Sequence, residues 1–266
     1  MNSIATSVLV TFAVFLGALV GLNLHRVLPK SHLTKETQDV IRLGTGMLSV
    51  LASLVLGLLI ATAKNAYDTT DQAFRSYAAE IALLNETLRD YGAAAATPRD
   101  TLRHYTVSLL HDVWPAKGDP INLFQHPQIA SLLEQMRKEI RVLKPQDPSQ
   151  AWLQQQALNI TITLFRERWS LIEQARTNVH GIVLGILVSW IVAIFVSFGL
   201  NAPLNGTIVG AFLICSMAIG GSVFLILEMD QPLSGVIRIS SWPIENVLAP
   251  TNWQRSAAPP DVAEPR

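Results

Sequence analysis

Four stretches of the chain are apolar and free of charged residues for about 20 positions: Ile4–Leu24, Leu43–Ala63, Gly181–Leu200 and Thr207–Leu227. A helix rising about 1.5 Å per residue crosses a hydrocarbon layer about 30 Å thick in that length. Each stretch therefore predicts a transmembrane helix. Residues 25–42 join the first two into one hairpin, and Asn201–Gly206 join the last two into another. No Lys or Arg precedes the first stretch and no small-residue cleavage pattern follows it, so it reads as a retained span and not a secretory signal. An even number of spans places the N-terminus, residues 64–180 and the C-terminal tail on one side of the membrane.

Between the hairpins the pattern is amphipathic. Phe74, Tyr77, Ile81, Leu84, Leu88 and Tyr91 alternate spacings of three and four, which sets them on one helical stripe, and Gly92 supplies a stop. The spacing predicts a helix that continues the second span out of the bilayer. Thr97 reads as an N-cap with Pro98 at the first helical position, opening a helix with Leu102, Tyr105, Leu109 and Val113 that ends before Pro115. A third helix opens near Pro127, carries Ile129, Leu132, Leu133, Met136, Ile140 and Leu143, and is closed by Pro145 and Pro148. A fourth runs from about Ser149 through Trp152, Ile160, Leu164 and Trp169 into the third span. Residues 249–266 hold four prolines and few large apolar groups, the composition of a disordered tail. The expected fold is thus an all-α integral membrane protein. It comprises a hairpin at 1–63, a helical extramembrane domain at 64–180, a second hairpin at 181–227, a post-span segment at 228–248 and the tail.

Charge narrows the functional classes. The 266 residues include 20 Lys and Arg against 20 Asp and Glu, only 15% charged in all, and no basic block. That leaves no electrostatic footprint for a nucleic acid. The single cysteine, Cys215, lies in the fourth span, where a thiol reads as a small packing residue. Six histidines (His25, His32, His104, His111, His126 and His180) are scattered without the spacing of a helical zinc site. No nucleophile elbow, phosphate-binding loop or dinucleotide fingerprint is present. The sequence predicts no catalytic residues, no metal, no cofactor and no enzyme.

Other candidates lie at the span ends. Glu228 and Asp230 follow the fourth span, with Gln231, Pro232 and a turn-permitting Gly235 after them, and Lys64, Arg176 and His180 reach the same boundary. Such groups line an ion path, or pair to fix how the spans leave the membrane; a lysine at a span end also snorkels to the interface. Gly17/Gly21, Gly181/Gly185 and Gly206/Gly210 are small-residue pairs four apart, which let helices approach closely within a subunit or between subunits. Lys64, Arg75, Arg166, Arg168, Arg176 and Arg238 stand on the shared side against Arg26, Lys30, Lys35 and Arg42 in the first loop. This bias leans toward a cytoplasmic 64–180 segment with both termini cytoplasmic.

Residue strings at the span ends resemble a family. Leu43-Gly44 through Val55–Lys64, Leu83–Gly92, Phe195–Pro203 and, most strongly, Phe224–Gly235 are similar to the bestrophin-like domain family over roughly residues 10–248. The family takes its name from a distant similarity to bestrophins, pentameric anion channels with four spans per subunit and a helical cytosolic part after the second span. In them the second span lines the pore, and an apolar neck is set by positions seven before, three before and one after the glycine of a Val-Leu-Gly string. Here Val55-Leu56-Gly57 carries that string. The resemblance therefore places the neck on Val50, Leu54 and Leu58, at i, i+4 and i+8 of one helix face. Lipid-facing or packing residues show the same spacing. Where bestrophins of eukaryotes carry an acidic calcium clasp, only Glu228 and Asp230 stand, too few for the 6–8 oxygens calcium takes. The resemblance implies a self-associating ion channel, pentameric and passing an inorganic anion such as chloride, in the lipid bilayer of a bacterial inner membrane. The alternative is a membrane-anchored helical interaction or sensor module without conductance. A secondary transporter would want polar groups near the bilayer midplane, for which Ser53, Ser189 and Ser216 are thin support.

Overall fold

The computed structural model describes residues 3–27, 34–115, 127–174, 181–233, 235–249 and 253. Every regular element among them is helical: α1 (Ser3–Val27), α2 (Lys35–Tyr91), a 3-10 turn (Ala93–Ala95), α3 (Ala96–Val113), α4 (Pro127–Val142), α5 (Pro148–Gln174), α6 (Gly181–Leu200), α7 (Gly206–Met229) and α8 (Trp242–Val247). Of these, α1, α2, α6 and α7 are long and apolar enough to span a membrane. The chain divides into two compact units, Met1–Asp68 with Asn178–Ile237 and Thr69–Thr177 with Arg238–Arg266.

In the membrane unit α1 packs against α6 and α7. Lipid tails are as apolar as the helices, so burying leucine gains little there; close backbone approach and dispersion hold the spans together. The glycines show where. A Cβ at Gly17 would stand 3.1 Å from Val192, one at Gly21 would collide with the Val196 carbonyl, and one at Gly199 would collide with the Ala18 carbonyl. Between α1 and α7, a Cβ at Gly220 would collide with Thr11. Among the described residues, only the first of the three small-residue pairs makes such contacts: Gly181, Gly185, Gly206 and Gly210 have nothing within 4 Å of an added Cβ. Val10, Val14, Ala18, Leu187, Ile191 and Val223 fill the core around these crossings. The α6–α7 turn is closed by Asn205, whose side chain accepts from the Ile208 amide at 2.9 Å.

In the helical unit the α2 stripe is fully used. Phe74, Tyr77, Ile81, Leu84, Leu88 and Tyr91 are all buried, and α2 is one uninterrupted helix from Lys35 to Tyr91. Gly92 ends it with φ at 105°, a left-handed conformation that glycine adopts without a Cβ penalty. Thr97 is not the cap expected at the start of α3. The Gly92 turn runs directly into the 3-10 turn, whose carbonyls at Gly92 and Ala93 accept the amides of Ala95 and Ala96, so α3 begins at Ala96 with no side-chain cap. Leu102, Tyr105, Leu109 and Val113 are buried as the pattern predicts, as are Ile129, Leu133, Met136 and Ile140 of α4. Asp147 caps α5 by accepting the Gln150 amide at 2.8 Å. The buried face of α5 is Ala157, Ile160, Leu164, Arg168 and Leu171; Trp152 and Trp169 lie off its period and are exposed. Whether α5 continues into α6 falls on residues 175–180, outside the described residues. The post-span segment adds an element the sequence pattern did not announce. In the same unit as Trp114, Ile239 accepts a hydrogen bond from Trp114 Nε1 at 2.9 Å, and α8 buries Ile244 and Val247. Of the expected tail, only Ala249 and Trp253 are described, and Trp253 lies 5.7 Å from the Arg99 guanidinium.

Polar groups also lie in this core. The hydroxyls of Tyr77 and Tyr105 hydrogen-bond to each other, both fully buried, and Arg168 is only 5% exposed. Burial pushes the Tyr77 phenol well above its ordinary value, with Tyr105 adding to the effect, and pushes Tyr105 up to about 12 against opposing pulls from Tyr77 and Arg168. Burial and then the Glu80 carboxylate push Glu167 up.

Two predictions follow from this packing. Gly21→Ala and Gly199→Ala each force backbone apart and lose about 1–3 kcal/mol, whereas Gly210→Ala, opening onto free space, leaves the melting midpoint of the detergent-solubilised protein unchanged or raised. The tyrosine pair makes the helical unit sensitive to alkali. Because both phenols titrate higher in the folded protein than unfolded, their contribution is whole below about pH 10 and is lost as pH rises through about 12. Tyr105→Phe removes the hydrogen bond between the two buried hydroxyls, losing about 0.5–1.5 kcal/mol at neutral pH, and removes one late phenol from the tyrosinate absorbance titration.

Candidate functional site

The second span is covered least. Only 11% of its apolar window is buried, against 33% for α1 and α6 and 17% for α7. Val40, Leu43, Met47, Val50, Leu54 and Leu58 form an exposed stripe along it, with Val50 and Leu54 each 70% and Leu58 65% accessible. The stripe arises because residues three and four apart share a helix face. Thr34 opens the helix by accepting the Thr37 amide at 3.3 Å, and Glu36 sits in the first turn, where a carboxylate complements the helix dipole.

The opposite face of α2 meets the rest of the membrane unit. Ala52 is buried in the core cluster, and Leu48, Val55, Leu56 and Leu59 pack against it. Thr45 Oγ1 and Ser197 Oγ of α6 share a hydrogen bond at 2.7 Å, and Ser49 Oγ donates to the Thr45 carbonyl at 2.8 Å. Val55-Leu56-Gly57 thus splits across the helix: Val55 and Leu56 face the core, and a Cβ at Gly57 would meet open space.

The charged candidates at the span ends do not converge on one cluster among the described residues. Lys64 pairs with Asp68 one turn along α2, both about half exposed. Glu228 is buried, and its Oε2 accepts the backbone amides of Val236 and, at 3.2 Å, Ile237. Gly235 permits this: a Cβ there would collide with the Glu228 carboxylate. Asp230 caps the end of α7, its amide donating to the Ile226 carbonyl at 3.1 Å. Arg176 and His180 lie outside the described residues. Cys215 is exposed on α7, and among the described residues no three His, Cys, Asp or Glu side chains gather as a metal site.

Sequence reasoning missed three features. Gly199 and Gly220 sit at close crossings yet belong to no glycine pair spaced four apart. Glu228 is held by the backbone amides of Val236 and Ile237. Arg168 was counted as a span-flanking charge, but it follows Leu164 by four and precedes Leu171 by three; that phase was the available signal that it belongs to the buried face of α5.

Comparison with known proteins bears on the whole arrangement. A crystal structure of a membrane protein superposes with a TM-score of 0.63 at 14% identity, covering 90% of this chain and 95% of that one. A crystal structure of a mutated bacterial bestrophin homolog from Klebsiella pneumoniae superposes with a TM-score of 0.54 at 13% identity, covering 93% of this chain and 96% of the other. At such identities the likeness shows the fold. No curated protein matches the chain. The Bestrophin-like domain family model, however, matches residues 2–244, nearly the whole length, and the chain belongs to that family.

Proposed function

We propose that this protein is the subunit of a homo-oligomeric, pentameric ion channel that passes inorganic anions such as chloride, with α2 facing the central axis and Val50, Leu54 and Leu58 forming its neck. The observation that carries the reading is the uncovered stripe of α2. The most exposed span of the subunit presents three large apolar side chains in register on one face, in a chain of the Bestrophin-like family whose fold is that of a bacterial bestrophin homolog.

Assembly around an axis would turn each position of the stripe into a ring. A narrow apolar ring excludes water and hence hydrated ions, so it gates by wetting and drying. Lys64 contributes little net attraction, because Asp68 neutralises it on the same helix. Anion preference then rests on partial dehydration at the rings, which is least costly for large, weakly hydrated anions. In this reading the hairpins at 1–63 and 181–227 form the membrane body in a bacterial inner membrane, with the 64–180 domain, the 228–248 segment, the 249–266 tail and both termini in the cytoplasm. A second reading, a membrane-anchored interaction or sensor module, draws support from Trp152, Ile162, Phe165 and Trp169, which stand exposed on α5.

Halide efflux from liposomes tests the proposal. Purified wild-type oligomer is expected to pass chloride, and iodide faster. Leu54→Ala is expected to raise the flux about tenfold, equivalent to roughly 1.4 kcal/mol off the barrier, with the oligomer unchanged on size exclusion. Correctly inserted oligomers that pass neither anions nor cations would overturn the channel reading in favour of the interaction module.

A further inference from the structure

Between α2, α6 and α7 lies a pocket of about 190 Å³ that is open on one side, where Ser53 and Phe198 are exposed. Its walls include Ser49, Ser53 and Leu56 of α2, Phe195 and Phe198 of α6 and Ile219 of α7. The pocket exists because α2 places small side chains, Ser49, Ala52 and Ser53, on one face opposite the large Ile and Phe residues of α6.

The lining selects among occupants. Small-molecule pockets are clefts lined mostly by apolar and aromatic side chains, with a few polar groups that fix orientation, and this lining is of that kind. The polar side chains in the wall are hydroxyls. Ser49 Oγ already donates its proton to the Thr45 carbonyl, so toward the cavity it has lone pairs to offer. The fitting molecule is an aromatic ring bearing one hydroxyl donor.

We propose that this cavity is a binding site for a small phenol, and that its occupancy braces α2 from behind and restrains the Val50–Leu58 face. The bracing half rests on the channel reading above; the binding half does not. A ring wedged between α2 and Phe195 and Phe198 would remove the space into which α2 can retreat, so the stripe on its far side would lose freedom to move.

The test uses the reconstituted full-length oligomer and 4-fluorophenol, followed by fluorine NMR. Saturable binding is expected in the wild type, at least tenfold weaker in Ala52→Leu, which fills the chamber. Ser53→Val serves as an independent filling variant should Ala52→Leu assemble poorly. Ser49→Ala is expected to abolish the preference for 4-fluorophenol over fluorobenzene while fluorobenzene still binds. Halide efflux measured in parallel should fall severalfold with the phenol in the wild type and not respond in Ala52→Leu. Absence of saturable binding to folded oligomer, or equal uptake by wild type and both filled variants, as simple partition into lipid gives, overturns the site. Saturable binding with unchanged efflux overturns the bracing alone, and protein that binds the phenol but conducts nothing overturns the channel reading while leaving the site standing.

Discussion

Backbone contact at the α1–α6 and α1–α7 crossings is the constraint from which the membrane unit follows. Gly21, Gly199 and Gly220 let α1 lie against two neighbours closely enough that a single methyl group at any of them would strike the facing helix. In a bilayer, where exclusion from water supplies no force between spans, such proximity replaces the hydrophobic drive with dispersion between well-fitted surfaces. Three spans are thereby committed to one another. The fourth, α2, joins by one face and a few hydroxyls, and its other face is left open.

That division gives α2 two lives along one helix. Its first half is apolar on both sides yet buried on only one, and its second half buries a continuous stripe from Phe74 to Tyr91. In lipid a helix satisfies its own backbone hydrogen bonds and can expose leucine at no cost. In water the same exposure is unfavourable, so the stripe beyond Asp68 must be covered and the stripe before it need not be. The same helix is therefore a candidate pore wall in one unit and a packing spine in the other.

Polar groups at the span ends and inside the helical unit are engaged in holding the fold. Glu228 turns the chain after α7 by accepting backbone amides over Gly235, and Lys64 answers Asp68. Tyr77, Tyr105 and Arg168 lie inside the helical unit, where the tyrosine hydroxyls satisfy each other. A hydrogen bond between two buried hydroxyls offsets part of the desolvation cost of both.

The periodicities of the chain were enough to place the four spans, the continuous second helix, its stop at Gly92 and most of the buried stripe of the helical unit, because hydrophobic spacing is a local property that burial only reads out. They also set Val50, Leu54 and Leu58 on one helix face, a face the subunit leaves exposed. Tertiary structure alone decided which faces were covered. Gly17/Gly21 and Gly181/Gly185 are the same motif on paper, yet among the described residues only the first has a helix against it, because a glycine without a side chain looks the same locally whether or not a partner is present. Trp152 and Trp169 stand outside despite their size, and Arg168 reads as surface by its charge but lies within, because phase relative to neighbouring helices outweighs residue type. Thr97 lost its capping role to a backbone turn three residues earlier, and the pairing of Glu228 with amides eight and nine positions on needed the chain to double back at Gly235. Local pattern reports what each helix can bury; only the packed chain determines what it does bury, since that depends on distances between residues the sequence holds far apart.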